Sequence, residues 1–208
     1  MLTYSRKITS AEEVLVIMAK LYFKYGAMGS SKSAQALITK FNYEERGMRV
    51  WLIKPGIDTR DGADILKSRI GLEQKADIIY SGTSLWDEFE SRMSNKIDVI
   101  IADECHFFTE RQIDDMRRIV DECEVPVICY GLRTDFKAKL FPASARLFEL
   151  ADKIAEVKSI CECGRKAIIN ARTDENGKIV THGDRIKLGG NELYTAMCHS
   201  CWKKAQKQ

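Results

Sequence analysis

The chain has 208 residues, of which 45% are hydrophobic and 30% are charged, a balance typical of a globular protein. Its length suits one domain of ordinary size with a small addition. The formal net charge of +3 is too small to indicate a nucleic acid or an anionic membrane as a partner. No apolar run approaches the roughly 18 residues that a membrane-spanning helix needs.

The N-terminal stretch MLTYSRKITSAEEVLVI, residues 1–17, lacks the pattern of an export signal. The polar letters SAEE interrupt it, and its apolar run is short. Met18 opens a second plausible start, so we expect residues 1–18 to be a dispensable extension. Seven cysteines without an export signal indicate reduced thiols in a cytoplasm.

Strands and helices alternate along the first two thirds of the chain. Strands are predicted over residues 21–25, 49–55, 76–82, 97–104 and 125–132. Helices are predicted over residues 32–47, 84–95 and 109–124, and the polar residues 56–75 are predicted to form a loop with one helical turn. The last strand, VPVICYGL, has almost no polar residues, which favours burial on both faces of a parallel sheet. The pattern predicts an α/β domain of parallel strands with flanking helices over residues 19–158.

Residues 159–208 differ in character, with short β-like runs, turn signals at ENG and LGGN, and a basic helix predicted after Cys198. Two close cysteine pairs lie here, Cys161 with Cys163 and Cys198 with Cys201. Four thiolates suit one tetrahedral Zn²⁺ and leave no open position, which predicts a structural metal site in a small second domain. His199 is a fallback ligand.

The stretch GAMGSSKS, residues 26–33, resembles the phosphate-binding pattern G-x-x-x-x-G-K-[ST], with Ser31 in place of the second glycine. It stands between a predicted strand and a predicted helix, where backbone N–H groups can bind phosphate. Lys32 would add a positive charge, and the Ser33 hydroxyl would bind Mg²⁺. Ser31 is costly if its position needs a positive φ. The alternative is an ordinary turn of small residues.

A second signal is IDVIIADE, an apolar strand that ends in Asp103 and Glu104. In phosphate-loop enzymes an Asp at such a strand end holds Mg²⁺, and the neighbouring Glu can act as a base. The alternative is a strand capped by two solvated carboxylates. Because both signals fall at strand ends, together they predict a nucleotide site. His106 would either line this site or be a buried spacer.

Six motifs occur along the chain in the order in which they are found in one enzyme family. They are GAMGSSKS, DTR (58–60), ADECHFF (102–108), YGLRTDF (130–136), CECGRKA (161–167) and GGNELYTAMC (189–198). Taken together and in this order, the motifs resemble those of the cytosolic, zinc-containing (class II) thymidine kinases. The resemblance covers nearly all of residues 19–203. The spellings YGLRTDF and CxCGRKA are similar to the enterobacterial-type branch. The resemblance implies a P-loop, RecA-like sheet domain and a zinc domain with a lasso-like loop.

The resemblance also implies a reaction, which is ATP-dependent phosphorylation of the 5′-hydroxyl of thymidine, and of deoxyuridine, to the monophosphate and ADP. This is a step of pyrimidine salvage for DNA synthesis. The implied cofactors are ATP, Mg²⁺ and structural Zn²⁺. The implied state is a cytoplasmic homotetramer inhibited by dTTP, with no nucleic-acid or membrane partner.

Residue roles follow from matching positions, with Glu104 as the catalytic base. The implied ATP site comprises Gly26, Ala27, Met28, Gly29, Ser30, Ser31, Lys32, Ser33, Asp58, Arg60, Asp103, Glu104, Cys105 and His106. Ser33 and Asp103 would hold Mg²⁺. The implied thymidine pocket comprises Met28, Phe107, Leu132, Phe136, Phe141, Gly189 and Tyr194, and residues 171–193 would form a lasso that closes over the base. Ser31 and His106 depart from the family, which usually has Gly and Gln there.

Two other functions compete with this interpretation. An apolar strand that ends in Asp-Glu also occurs in motor-type proteins, so a nucleic-acid-stimulated P-loop ATPase with a zinc ribbon is the main alternative. Such a motor core usually needs more chain and a basic track. The second alternative is a zinc-ribbon interaction module.

Overall fold

The computed structural model of the chain describes residues 19–57, 64–186 and 193–206. The predicted extension 1–18 and three predicted site residues, Asp58, Arg60 and Gly189, lie outside the described residues.

The elements follow one another in a strand–helix alternation that gives way to short strands after residue 158. Their bounds are β1 (Leu21–Tyr25), α1 (Lys32–Glu44), β2 (Val50–Pro55), β3 (Ile65–Lys67), β4 (Glu73–Lys75), β5 (Asp77–Ile79), α2 (Leu85–Arg92), β6 (Val99–Ala102), α3 (Glu110–Cys123), β7 (Val127–Gly131), α4 (Pro142–Leu150), β8 (Lys153–Glu156), β9 (Ser159–Ile160), β10 (Lys166–Ala167), β11 (Ile169–Arg172), β12 (Tyr194–Met197) and α5 (His199–Ala205). Short 3₁₀ turns cover Met93–Asn95 and Cys105–Phe107.

Six strands form one sheet in the order β5-β2-β6-β7-β1-β8, and every pairing in it is parallel. The carboxyl ends of all six strands therefore lie at one edge, which we call the carboxyl edge. The strand that precedes the phosphate loop (β1) and the strand that ends in the acidic pair (β6) flank β7. All five residues of β7 are buried, as its apolar sequence predicted.

The flanking helices form where the predicted apolar faces can be buried. On α3, Ile113, Met116 and Ile119 are fully buried in the core. A capping box fixes its start, because Thr109 accepts from the Gln112 N–H and the Gln112 side chain accepts from the Thr109 N–H. Helix α1 ends at Glu44, three residues earlier than predicted, and Gly47 follows with a φ of 73°.

The prediction of a loop with one helical turn over residues 56–75 was wrong for the described part. Strands β3 and β4 pair there as an antiparallel hairpin. Gly71, with a φ of 86°, supplies the left-handed backbone that the tight connection requires. No sequence pattern predicted α4 or β8, and β8 extends the sheet beyond β1.

The C-terminal strands form separate two-stranded antiparallel sheets, β9 with β10 and β11 with β12. Helix α5 is present, as predicted after Cys198, and its Trp202 packs against Ile169 and Ala171 of β11. The boundary between domains at residues 158 and 159 stays a prediction. No helix in the described part of the chain is long and apolar enough to cross a membrane.

Candidate active site

The phosphate loop, residues 26–33, lies at the carboxyl edge between β1 and α1. A Cβ atom at Gly26 would come within 2.3 Å of the Val157 carbonyl oxygen, so this position has room only for glycine. Gly29 has a φ of 74° and Ser31 a φ of 61°. The structure therefore places Ser31 in the left-handed region, where a side chain is disfavoured. Helix α1 begins at Lys32, so its N-terminal N–H groups lie at the loop.

Lys32 is a buried cation inside this loop, with 8% of its surface exposed. Its ammonium group donates to the carbonyl oxygens of Gly26 (3.1 Å) and Ala27 (2.9 Å) and to Ser30 Oγ (3.2 Å). Burial lowers the pKa of Lys32, while the nearby carboxylates of Glu104 and Asp103 act in the opposite direction. The lysine thus lies in the field of the acidic pair that the sequence predicted.

Asp103, directly after β6, is 2% exposed, and the Ser33 side chain lies close enough to lower the pKa of its carboxyl group. Burial, and then repulsion from Glu104, raise the pKa of Asp103 to about 7. Its Oδ1 atom is buried and has no hydrogen-bond partner among the described residues. A buried carboxylate oxygen beside a hydroxyl is a donor set that Mg²⁺ accepts, and a cation there would stabilise the charged carboxylate.

Glu104 has a left-handed backbone, with φ 48° and ψ 36°, and it leads into the 3₁₀ turn Cys105–Phe107. Its side chain is 18% exposed, and its Oε2 lies 3.6 Å from His106 Nδ1. Cys105 packs so closely on the end of β7 that a Cβ atom at Gly131 would lie 2.5 Å from its Sγ. Left-handed backbone at a non-glycine residue is found where the surrounding structure enforces it, often at functional sites.

Aromatic side chains of the predicted pocket surround His106. The His106 ring centroid lies 4.0 Å from that of Phe107 and 4.7 Å from that of Phe141, and the two phenylalanine rings are 5.9 Å apart. His106 Nδ1 accepts from the Leu132 N–H at 3.1 Å. The buried His106 therefore joins three residues of the predicted thymidine pocket. Phe136 is also buried, with the Arg172 guanidinium 3.8 Å from its ring centroid.

Asn170, on β11, is a site residue that the sequence analysis missed. Its buried amide accepts from the Met28 N–H at 2.8 Å and donates to the Thr134 carbonyl oxygen at 2.9 Å. One side chain thus connects the phosphate loop to the segment between Leu132 and Phe141. The sequence offers one sign of its importance, which is that a polar residue interrupts the otherwise apolar run AIINA. A buried amide must be hydrogen-bonded, so such a residue is expected to join neighbouring segments.

The lasso segment is described over residues 171–186 and at residue 193. Arg172 donates to the carbonyl oxygens of Asp184 (2.8 Å) and His182 (3.2 Å), and Lys137 donates to that of Gly183 (2.9 Å). The buried Asp135 carboxylate pairs with Arg185 at 3.1 Å. Arg172 therefore fastens His182 and Asp184 to β11, whereas Lys137 and Asp135 fasten Gly183 and Arg185 to the loop that carries Phe136. Tyr194 begins β12, opposite Arg172.

The four predicted zinc ligands form one cluster. The sulfur atoms of Cys161, Cys163, Cys198 and Cys201 all lie within 4.8 Å of one another. The Cys163 and Cys198 sulfur atoms are 3.7 Å apart. A Zn–S bond of about 2.3 Å in a tetrahedral site gives sulfur–sulfur edges of about 3.8 Å, so the cluster fits Zn²⁺.

The pKa values of the thiols reflect how closely the four sulfur atoms lie. Backbone N–H groups of Cys198 and then Cys163 lower the pKa of Cys161 to about 6. Hydrogen bonds to the Cys163 and Cys198 sulfur atoms raise the pKa of Cys201 to about 12. Four thiolates this close repel one another unless a cation lies between them, which Zn²⁺ would do.

Comparison with known proteins identifies the family. A family model described as thymidine kinase matches residues 19–202. The chain belongs to the thymidine kinase family. Among its relatives, a thymidine kinase of Zymomonas mobilis is 48% identical and covers 87% of this chain and 94% of the relative. A thymidine kinase of Yersinia pseudotuberculosis is 45% identical (91% and 97% covered), and one of Legionella pneumophila is 43% identical (91% of each).

These relatives are bacterial, and membership of the thymidine kinase family confirms the resemblance inferred from the six motifs. Among solved structures, Bacteroides Pif1 bound to ssDNA aligns with a TM-score of 0.39 at 17% identity, over 68% of this chain and 39% of that one. A likeness this loose adds nothing to the assignment.

The first prediction concerns zinc. The purified protein should contain about one Zn²⁺ per chain. Cys163→Ser should lose the metal and lower the unfolding temperature of the C-terminal part, because metal binding at such a site is folding energy. Elemental analysis and thermal melting measure both effects. Cys123→Ser, a partly exposed cysteine on α3, is the matched control. A Cys163→Ser protein as stable and zinc-loaded as the control would contradict the assignment.

The second prediction concerns Ser31. Ser31→Gly should keep or raise the turnover with ATP, because it removes left-handed strain on the order of 1 kcal/mol from the phosphate loop. Glu124→Gly is the control, since exposed Glu124 has a φ of 54° at the end of α3. Both substitutions relieve backbone strain. Only Ser31→Gly lies in the phosphate loop, so only this variant should change the KM for ATP. Loss of ATP binding in Ser31→Gly would mean that the hydroxyl itself is a ligand.

Proposed function

We propose that this member of the thymidine kinase family transfers the γ-phosphoryl group of ATP to the 5′-hydroxyl of thymidine, producing dTMP and ADP. One observation carries the proposal. At one edge of the sheet, the phosphate loop with Lys32 lies beside the Ser33–Asp103 pair and Glu104, and the aromatic group around His106 follows directly. The names of the relatives at 43–48% identity support the same substrate.

The phosphate loop supplies charge neutralisation, which is most of what phosphoryl transfer asks of a protein. The N–H groups at the start of α1 bind the phosphate oxygens, and Lys32 exchanges its hydrogen bonds to loop carbonyls for bonds to phosphate. Ser33 and Asp103 would hold Mg²⁺. When bound, Mg²⁺ would neutralise charge that develops on the phosphates.

Glu104 orients the acceptor hydroxyl and takes its proton late in the transfer. Its position supports this role, because it is partly exposed at the carboxyl edge, between the buried Asp103 and the aromatic group. The backbone turn at Glu104 directs the chain from the metal site to the pocket wall within three residues. Deprotonation of Asp103 is favoured by the positive charge of Lys32 and would be favoured further by Mg²⁺.

The aromatic group forms the wall against which the flat pyrimidine stacks. Phe107, Phe141 and Leu132 are held together by their contacts with His106. The lasso segment closes over the base with main-chain contacts and excludes water, which would otherwise hydrolyse ATP. From the family resemblance, Gly189 and Tyr194 would take part in that closure, and Asp58 and Arg60 would bind the triphosphate and metal.

Further properties are proposed from the family. The enzyme accepts deoxyuridine as well as thymidine, serves pyrimidine salvage for DNA synthesis, and is inhibited by dTTP. It works as a homotetramer in the cytoplasm. It needs no nucleic-acid partner, in keeping with the small net charge of +3.

The test is ADP formation from ATP–Mg²⁺ alone, with thymidine, and with single-stranded DNA or RNA. Thymidine should raise the rate strongly, whereas nucleic acid should leave it at the basal value. Stimulation by nucleic acid and not by thymidine would replace this proposal with the motor-type ATPase. A failure of both to stimulate, with zinc bound, would favour the interaction module.

The third prediction concerns the base. Glu104→Gln should bind ATP nearly as well as the wild type, and its turnover should fall by about a hundredfold or more, the usual scale for a lost general base. Glu110→Gln, on the exposed first turn of α3, is the matched control for loss of a carboxylate charge. Pre-steady-state phosphoryl transfer and equilibrium ATP titration separate chemistry from binding. Near-wild-type transfer would remove Glu104 from the mechanism.

The fourth prediction concerns the lasso segment. Hydrogen exchange in a peptide that covers residues 181–193 should slow when thymidine or dTTP binds, since main-chain contacts to a pyrimidine protect amides. The turn at residues 174–178 provides an internal control. There the N–H groups of Asn176, Gly177 and Lys178 are already hydrogen-bonded, so their exchange should not change. Equal exchange of the 181–193 peptide with and without nucleoside would mean that this segment is no lid.

A further inference from the structure

The hairpin β3–β4, which the sequence analysis did not foresee, places a second cation at the phosphate loop. Arg69 lies in the turn of this hairpin, between β3 and β4. A Cβ atom added to Gly29 of the phosphate loop would lie 3.2 Å from Nη1 of Arg69. The guanidinium group is therefore in direct reach of the loop, although about 40 residues separate the two in sequence.

The turn that carries Arg69 has a defined shape. Buried Ser68 closes it, because its N–H donates to the Leu72 carbonyl oxygen at 2.7 Å and its Oγ accepts from the Leu72 N–H at 3.0 Å. The Gly71 N–H adds a bond to the Ser68 carbonyl oxygen at 3.1 Å. Arg69 therefore lies in a turn whose backbone is fixed by hydrogen bonds.

The hairpin itself is fastened to the sheet domain. Lys54 of β2 donates to the Ile65 carbonyl oxygen at 2.9 Å, and the Ala76 N–H donates to the Asp64 carbonyl oxygen at 2.8 Å. Leu66 is buried in the same hydrophobic cluster as Leu37 of α1. The base of the hairpin is therefore fixed relative to the helix that begins at the phosphate loop.

The surroundings of Arg69 suit an anionic ligand. The side chain is exposed, and no carboxylate among the described residues forms an ion pair with it. The acidic residue on the neighbouring strand, Glu73, pairs instead with Lys67 at 3.6 Å. Two cations and the N–H groups of a helix start converge on one loop, an arrangement that a polyanion stabilises.

We propose that Arg69 is a second phosphate-binding cation, which contacts the phosphate chain of the nucleotide on the Gly29 side of the phosphate loop. The proposal rests on the nucleotide site put forward above, and adds a residue that none of the six motifs contains. Arg suits this position better than Lys, because its planar fork can bind two phosphate oxygens from a single exposed side chain. The absence of a side chain at Gly29 leaves the space in which guanidinium and phosphate meet.

The experiment compares Arg69→Gln and Arg69→Lys with Lys67→Gln, which removes an equally exposed positive charge from the same hairpin. ATP, ADP and AMP are titrated with Mg²⁺, and the steady-state KM values for ATP and thymidine are measured. Arg69→Gln should weaken ATP binding by about tenfold to a hundredfold, the scale of a charge-assisted hydrogen bond. Its effect should shrink from ATP to ADP and vanish for AMP, with the KM for thymidine unchanged. Arg69→Lys should recover part of the loss.

Three results would overturn the proposal. The first is ATP affinity in Arg69→Gln within about twofold of the wild type, since a charge-assisted bond is larger than that. The second is an equal loss in Lys67→Gln, which would point to the general field of the hairpin. The third is an equal loss for AMP, which would place Arg69 at the nucleoside. The titrations measure nucleotide binding and need no turnover, so they are independent of the assay of thymidine-stimulated ADP formation. A failure of that assay would count against the proposed reaction and not against the role of Arg69.

Discussion

A buried ammonium and a buried carboxylate at one edge of the sheet are the constraint on which the remaining site depends. Lys32 and Asp103 are each more than nine-tenths buried, and each would be costly without compensation. Lys32 is compensated by loop carbonyls and by the field of the acidic pair, and Asp103 by Ser33. The parallel sheet brings the ends of β1 and β6 to the same edge, on either side of β7, and so places the two charges close together.

The two halves of the proposed active site are held together by a few hydrogen bonds across long sequence separations. Asn170 links Met28 of the phosphate loop to Thr134, and the Gly26 N–H donates to the Gly131 carbonyl oxygen at 3.2 Å. His106 links the end of the acidic motif to Leu132. The phosphate loop and the aromatic wall are therefore joined by short hydrogen bonds. Arg172, Lys137 and the Asp135–Arg185 pair extend the same framework to the lasso segment.

Local sequence patterns were enough to predict the sheet domain, the phosphate loop, the acidic pair and the cysteine cluster. Apolar runs identify buried strands, and ligand spacing identifies a tetrahedral metal site. The hairpin β3–β4 could not be predicted, since its residues are mostly polar and its stability comes from Lys54 and the Ser68 turn. The roles of Asn170 and Arg69 depend on contacts between segments far apart in sequence, and no local pattern encodes those. The sequence left two interpretations of His106, a residue that lines the site or a buried spacer. Its burial agrees with the spacer, and its ring contacts with Phe107 and Phe141 make it part of the aromatic wall as well.

The central claim is that the acceptor of the phosphoryl group is the thymidine 5′-hydroxyl, positioned by Glu104 and shielded from water. Comparison of thymidine with 5′-deoxythymidine, which differs only in lacking that hydroxyl, tests the claim most directly. Both nucleosides should bind with similar affinity, because stacking and main-chain contacts recognise the base. Only thymidine should yield ADP, in equal amount with its monophosphate, since the closed site excludes water as an acceptor. Rapid ADP and inorganic phosphate formation with 5′-deoxythymidine would contradict the account, because water would then be the acceptor.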